Sequence, residues 1–181
     1  MQTKRIQKII FTALLAALCC VATMVIRLPS PLGGYINLGD GIVLLSGWLL
    51  GPLYGFIASG VGSALADLLS GYALYAPATF FIKGAMALVA YAVFRLLKRR
   101  WRPLPSHLCG GVLAELLMVG GYLAFESVIY GFMPALINVP ANAVQGAVGI
   151  LLGVLLIRIF EKNLHQFIDN KGENGYEDRK R

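Results

Sequence analysis

The sequence predicts an all-α integral membrane protein, a bundle of six helices of which the second is short. Hydrophobic residues make up 57% of the chain and charged residues only 14%, whereas soluble domains carry about 25% charge. The apolar residues fall into runs close to the roughly 20 residues that a membrane-spanning helix needs. A length of 181 residues then leaves room for six helices and no second folded domain.

The boundaries of the helices follow from breaks in the apolar runs. A proline and glycine cluster at 29–34 ends the first helix, and residues 35–40 are expected to form an external loop. Gly51 and Pro52 stop the second helix before it is long enough to span. Pro77 suits the first turn of the fourth helix, and Pro140 predicts a kink or broken first turn in the sixth. The predicted helices are residues 6–26, 40–50, 53–69, 77 to the basic cluster near 98, 107–129 and 134–160.

The basic residues predict the topology. Fourteen of the 16 Lys and Arg residues precede the first predicted helix, lie between the fourth and fifth helices, or follow or lie near the end of the last one. An even number of crossings puts these three places on one side, which the positive-inside rule makes cytoplasmic. We therefore expect both termini in the cytoplasm, a membrane domain at 1–162 and a loose, polar cytoplasmic tail at 163–181. The net charge of +7 reports this topology, and no nucleic-acid partner is expected.

Sequence motifs give no support to an enzyme. The three cysteines form no disulfide framework. The chain contains no His-Glu-x-x-His, Gly-x-Ser-x-Gly or Walker motif, so we expect no catalytic residue, no metal and no cofactor. Any dependence on ATP must come from another chain. The expected location is the cell membrane, as a multi-pass protein of a bacterial plasma membrane.

Ionisable side chains inside the apolar runs are the strongest indication of function. A charge in the membrane costs roughly 2.5–3.5 kcal/mol on insertion scales, so such residues usually face a cavity, a pathway or one another. Most of the polar residues lie in the outer half of the bundle, and Glu115 lies deeper. We predict that they line an outward-opening pocket for a small, polar, ring-bearing molecule. The candidate substrate-binding residues are Asn37, Asp40, Asp67, Tyr75, Lys83, Glu115, Tyr122, Glu126, Asn138, Asn142 and Gln145.

Structural interpretations of the same residues remain open. Asp67 and Lys83 would form an ion pair in one of them, and Asp40 would only cap the second helix. A Lys83→Ala variant distinguishes pocket from pair, since the first predicts weaker binding with an intact fold. The tyrosines would form an interfacial belt. Ala13 and Ala17 form a small-residue face on the first helix that serves either internal packing or a partner helix.

Four segments resemble a known family: YINLGDG at 35–41, GPLYG at 51–55, GSALADLLSGY at 62–72 and YAPATFFIKG at 75–84. The chain is similar over about residues 5–160 to the substrate-binding S components of energy-coupling factor (ECF) transporters. The branch is that of riboflavin, pantothenate, pyridoxine and hydroxymethylpyrimidine uptake. The resemblance implies a vitamin site near the external face, built from the first loop and helices four to six. It also implies docking of Ala13 and Ala17 on a transmembrane T component, with two ATPase subunits powering a toppling of the S component.

Three hypotheses follow for function. The first is an S component that binds a vitamin or precursor, with pyridoxine or hydroxymethylpyrimidine favoured over pantothenate or riboflavin because acids outnumber bases in the outer half. The second is a stand-alone proton-coupled transporter with Asp67, Glu115 and Glu126 as the relay. The third is a membrane enzyme using the carboxylates. The sequence shows no inverted repeat and no catalytic motif, which argues against the second and third.

Overall fold

Helices dominate the described chain. The computed structural model describes residues 2–29 and 35–177, with side chains for residues 5–27 and 35–160. Within this part, α6 is a single turn that a short 3₁₀ helix, η1, joins to α7. The elements are α1 (Gln2–Val25), β1 (Arg27–Pro29), β2 (Tyr35–Asn37), α2 (Gly39–Leu50), α3 (Pro52–Leu69), α4 (Ala76–Leu97), α5 (Pro103–Tyr130), α6 (Phe132–Ala135), η1 (Leu136–Asn138) and α7 (Val139–Glu177).

Five segments of the described chain are long and apolar enough to cross a membrane. They are α1, α3, α4, α5 and the combined α6–η1–α7 segment up to Phe160. The remaining helix, α2, has 12 residues and is about 18 Å long. The predicted all-α membrane bundle with a short second helix is therefore confirmed. Pro140 lies in the first turn of α7, where its missing N–H costs no hydrogen bond.

The short helix α2 is the centre of the bundle. Its residues from Gly39 to Trp48 are all buried, and it packs against α1, α3, α4 and α7. Gly51 has φ 81°, a conformation that glycine adopts readily, and Pro52 follows at the start of α3. This pair turns the chain sharply, so that α3 runs back beside α2. The N-terminal end of α2, with Asp40, is thereby held deep inside the protein.

Glycines let the helices approach closely. A Cβ at Gly62 of α3 would stand 2.4 Å from the carbonyl oxygen of Ala16 in α1, and one at Gly47 of α2 would stand 2.4 Å from that of Ala87 in α4. Such contacts bring backbones together where lipid provides no hydrophobic drive between helices. On the same helix, Ala13 and Ala17 are both exposed.

A small hairpin lies where the sequence predicted only a loop. Strand β2 pairs antiparallel with β1, with Arg27 opposite Asn37 and Pro29 opposite Tyr35. Strands of three residues between two apolar helices are too short to show the alternating pattern that identifies a strand. The hairpin places Tyr35 and Asn37 over one end of the bundle.

The last helix extends beyond the predicted membrane domain. α7 continues to Glu177, so the backbone of residues 163–177 is helical where a loose tail was expected. No proline interrupts this stretch, which leaves the helix free to continue. Residues 178–181 lie outside the described residues.

Candidate ligand-binding site

Polar side chains from six elements surround a cavity at the hairpin end of the bundle. The carboxyl-terminal ends of α1, α3 and α5, the amino-terminal parts of α4 and α7, and strand β2 all contribute. Of the eleven candidate residues, eight line this cavity: Asn37, Asp67, Tyr75, Lys83, Tyr122, Glu126, Asn142 and Gln145. The other three, Asp40, Glu115 and Asn138, contact or lie close to the residues that do.

The innermost part of the site is a chain of polar contacts across four elements. Lys83 of α4 forms an ion pair with Asp40 of α2. The second oxygen of Asp40 accepts a hydrogen bond of 2.7 Å from Nε2 of Gln145 in α7. The Oε1 of Gln145 in turn accepts a 2.8 Å hydrogen bond from the backbone N–H of Asn37 in β2. Lys83 and Asp40 are 2% and 0% exposed, so the surrounding helices shield this ion pair from water.

The predicted alternative of an Asp67–Lys83 pair is wrong. Lys83 contacts Asp40, and Asp67 accepts a 2.6 Å hydrogen bond from the hydroxyl of Tyr35. Asp40 does not act as a side-chain cap either, because the N-cap of α2 is Leu38 and makes no side-chain cap bond. The reason is tertiary: the turn at Gly51 folds α2 into the bundle centre and brings Asp40 beside Lys83.

Carboxylates and tyrosines form the outer part of the site. Glu126 accepts a 2.9 Å hydrogen bond from Asn138 and a 3.4 Å hydrogen bond from the hydroxyl of Tyr75. The ammonium of Lys83 lies 5.5 Å from the ring centroid of Tyr122, within range of a cation–π contact. One oxygen of each cavity-lining carboxylate, Oδ2 of Asp67 and Oε2 of Glu126, has no hydrogen-bond partner within the described part of the chain. Both are hydrogen-bond acceptors, and both residues line the cavity.

Tyr35 and Tyr75, which lie outside the membrane-spanning helices, are held as hydrogen-bond donors. Burial raises the pKa of Tyr35, and its hydrogen bond to Asp67 raises it further. Burial likewise raises the pKa of Tyr75, with contributions from the nearby Tyr130 and Glu126. Both hydroxyls therefore stay protonated at physiological pH and donate to the carboxylates that they contact.

Glu115 lies beside the network but not on the cavity. Its side chain is 5% exposed, and neither carboxylate oxygen has a hydrogen-bond partner among the described residues. A Cβ at Gly149 of α7 would stand 2.7 Å from both Asp40 Cβ and Glu115 Oε1. The glycine thus lets two acidic side chains approach the same point of α7, on the side of Asp40 away from the hairpin.

The cavity is much smaller than a vitamin. Its volume is about 30 Å³, roughly the space of one water molecule, whereas pockets for small organic ligands measure about 300–1,000 Å³. Ligand binding at this site therefore requires the surrounding groups to separate. The hydrogen bonds from β2 to Asp67 and Gln145 are those that tie the hairpin down over the cavity.

Five cavity-lining residues were not among the candidates, and none of them carries a formal charge or a side-chain amide. They are Thr23, Tyr35, Ser63, Tyr72 and Thr79. Helical spacing holds a signal for two of them. Thr79 lies four residues before Lys83 and Ser63 four before Asp67, so each shares a helix face with a charged candidate. Tyr35 lies on a strand that the sequence did not predict.

Comparison with known proteins gives a consistent result. The family described as ECF-type riboflavin transporter, S component, matches residues 3–162. An uncharacterized protein of Pyrococcus woesei is 36% identical over 150 residues, covering 82% of this chain and 98% of the relative. The thiamine precursor transporter HmpT of Lactococcus lactis subsp. cremoris is 27% identical over 164 residues, covering 90% and 92%.

Two solved structures share the fold. The S component of a bacterial ECF transporter superposes with a TM-score of 0.72 at 24% identity, covering 91% of this chain and 99% of that one. An S component for biotin from an ECF-type ABC transporter superposes with a TM-score of 0.59 at 20% identity, covering 90% and 94%. At these identities the likeness shows the architecture alone.

Proposed function

The chain belongs to the family of ECF-type riboflavin transporter S components, and on this premise we propose that it binds a small nitrogen heterocycle and mediates its uptake. The family is one of multi-pass membrane transporter components and not of enzymes. Pyridoxine or hydroxymethylpyrimidine is the proposed ligand class. The relative HmpT, a thiamine precursor transporter, supports the second of these.

The unpartnered carboxylate oxygens of Asp67 and Glu126 are the observation that carries the ligand class. A buried acceptor without a partner is costly, and a ligand with N–H or O–H donors relieves this cost. Exocyclic amino and hydroxymethyl groups on an aromatic ring provide such donors, and the cavity tyrosines provide flat contact surfaces. A carboxylate ligand such as pantothenate would face both acids, while Lys83 is already paired with Asp40.

The proposed ligand arrives from outside the cell. The basic residues near 98–102 follow α4 at the end opposite the cavity, and the positive-inside rule places that end in the cytoplasm. Both termini would then be cytoplasmic, as the sequence predicted. Access requires the hairpin to lift, which breaks the Tyr35–Asp67 and Asn37–Gln145 hydrogen bonds that the ligand then replaces.

Uptake is proposed to depend on partner subunits. The chain has no Walker motif, so a T component and two ATPase subunits would provide the energy. The exposed Ala13 and Ala17 form a small-residue face on α1 that suits close approach of a partner helix. The division into a membrane domain at 1–162 and a tail at 163–181 is part of the same proposal.

Ligand binding to the purified protein tests the proposed class. Isothermal titration with hydroxymethylpyrimidine, pyridoxine, pantothenate and riboflavin should show tight binding of one of the first two. Glu126→Gln should lower that affinity by roughly 10- to 150-fold, because a hydrogen bond to a charged group is worth about 1.5–3 kcal/mol. Glu115→Gln is the matched control: it changes a buried glutamate of the same helix that does not line the cavity, and should change affinity less than about threefold.

The outcomes separate the hypotheses. Selective binding of pantothenate, or equal affinity in both variants, would overturn the proposed ligand class. Uptake into cells that lack ECF T and ATPase subunits would favour the stand-alone proton-coupled transporter. Recovery of a chemically altered ligand would favour the membrane enzyme.

A further inference from the structure

A second depression lies at the opposite end of the bundle, where α5 begins against α7. From its first residue, Pro103, α5 rises about 35 Å along its axis to Glu126 at the ligand site. The depression has a volume of about 470 Å³. Its walls combine two arginines, a histidine and an apolar surface: Arg102, Arg158, His107, Leu104, Pro105 and Val154.

The two arginines carry positive charge that no described carboxylate balances. Among the side chains of residues 5–27 and 35–160, the ion pair between Lys83 and Asp40 is the only one, and both of its members belong to the ligand-site end. Arg102 immediately precedes α5 and Arg158 lies in α7, but both line one depression. Guanidinium groups that converge without a carboxylate form a site for an oxyanion such as phosphate.

His107 provides a second observation that points to a ligand. Its side chain is 2% exposed, and its ring is fixed by stacking on Phe94 at 4.1 Å and by an edge contact with Trp48 at 4.7 Å. Its Nε2 has no hydrogen-bond partner within the described residues, although buried polar atoms nearly always have one. The other ring nitrogen hydrogen-bonds the backbone of Pro103, so Nε2 of the neutral ring is an acceptor, suited to a hydroxyl donor and not to a phosphate oxygen.

The surroundings favour a membrane lipid as the source of the phosphate. Trp101 and Phe160, next to the arginines at this end, are 51% and 46% exposed, and aromatic residues of this kind mark the membrane interface. The apolar floor of the depression at Val154 continues on α7 into Leu151 and Leu155, which are 70% and 56% exposed. An acyl chain would lie along these residues while the headgroup contacts the arginines.

We infer that this depression binds the phosphate headgroup of an anionic phospholipid such as phosphatidylglycerol. The arginines neutralise the phosphate, His107 accepts a hydrogen bond from a headgroup hydroxyl, and the apolar floor holds the start of one acyl chain. The site does not depend on the proposed vitamin, because it shares no residue with the candidate ligand-binding site.

Native mass spectrometry of the detergent-purified full chain tests the site. The protein is titrated with phosphatidylglycerol or phosphatidylcholine, and bound lipid is counted. Arg102→Ala/Arg158→Ala should weaken phosphatidylglycerol binding about thirtyfold, because each basic residue at an anionic surface contributes about fivefold to binding. Arg99→Ala/Arg100→Ala is the matched control, since it removes the same charge from exposed residues outside the depression, and should change binding less than about threefold.

Two further measurements make the outcome decisive. His107→Phe keeps an aromatic ring between Phe94 and Trp48 but removes the nitrogens, and should also weaken phosphatidylglycerol binding in folded material. Equal weakening by the two double variants, or equal binding of the two lipids, would overturn the inference. Displacement of the lipid by millimolar inorganic phosphate would support phosphate recognition but assign the site to a soluble anion, and so would overturn the lipid assignment.

Discussion

Replacement of Lys83 by methionine tests whether the ion pair with Asp40 is a structural unit of the bundle. Methionine keeps most of the buried volume of the lysine but removes its charge. Asp40 is 0% exposed, and its remaining described partner is the amide of Gln145. The variant therefore leaves a buried carboxylate without its counter-charge. Because Lys83 pairs with Asp40, shortening its side chain should destabilise the fold. The pocket hypothesis drawn from the sequence expected Lys83→Ala to leave the fold intact.

The size of the effect follows from the burial of both partners. Removing one member of a buried ion pair costs about 3–5 kcal/mol, whereas replacing both members is often close to neutral. For a chain of this length, each kcal/mol shifts the thermal midpoint by about 2–4 °C. Lys83→Met should therefore lower the midpoint by about 6–20 °C. Lys83→Met/Asp40→Asn should recover most of this loss, since asparagine still accepts from Gln145.

Thermal unfolding of the four proteins of this cycle, in one detergent, provides the measurement. Lys98→Met is the control, because Lys98 is exposed at the end of α4 and its loss should matter by less than about 0.5 kcal/mol. The reasoning fails if the two single substitutions simply add in the double variant, since additive effects mean that the two residues are not energetically coupled.

Three further predictions concern other parts of the molecule. Ala13→Trp on the exposed face of α1 should abolish uptake when the transporter subunits are present and leave ligand affinity unchanged. Val128→Trp, on a different helix at a position that is 87% exposed, is the control and should permit uptake. Normal uptake by both variants would exclude docking at the α1 face. Gly62→Ala should destabilise the protein by about 1–3 kcal/mol through overpacking against α1. Gly120→Ala is the control and should not destabilise it, because nothing lies within 4 Å of the added Cβ. Similar thermal midpoints for the two variants would contradict the close contact between Gly62 and Ala16. The pKa of Tyr35 is raised in the folded protein. Protonated Tyr35 therefore contributes its full stabilisation of the fold below about pH 10, the pKa of an unfolded tyrosine, and this contribution is lost as the pH rises further. The thermal midpoint of the native protein should accordingly fall more steeply than that of Tyr35→Phe between about pH 9.5 and 11, and parallel curves would refute this.

Much of the fold could be predicted because the membrane limits the choices. Backbone groups in lipid must be hydrogen-bonded within the segment, so a long apolar run has little alternative to a helix. The predicted starts of α2 and α3 differ from the structure by one residue each. The hairpin of β1 and β2 was missed because its strands lie outside the membrane, where this constraint does not apply.

The sequence by itself determined that this is a helical membrane bundle and which polar residues occupy it, because the cost of placing charge in lipid depends only on residue type and position in an apolar run. Only the tertiary structure decided which partners those residues have. Lys83 pairs with Asp40 and not with Asp67 because the Gly51 turn packs α2 in the bundle centre. Glu115 is separated from the cavity, and Tyr35 joins it, for the same physical reason: long-range packing sets distances between residues that spacing along a single helix does not contain.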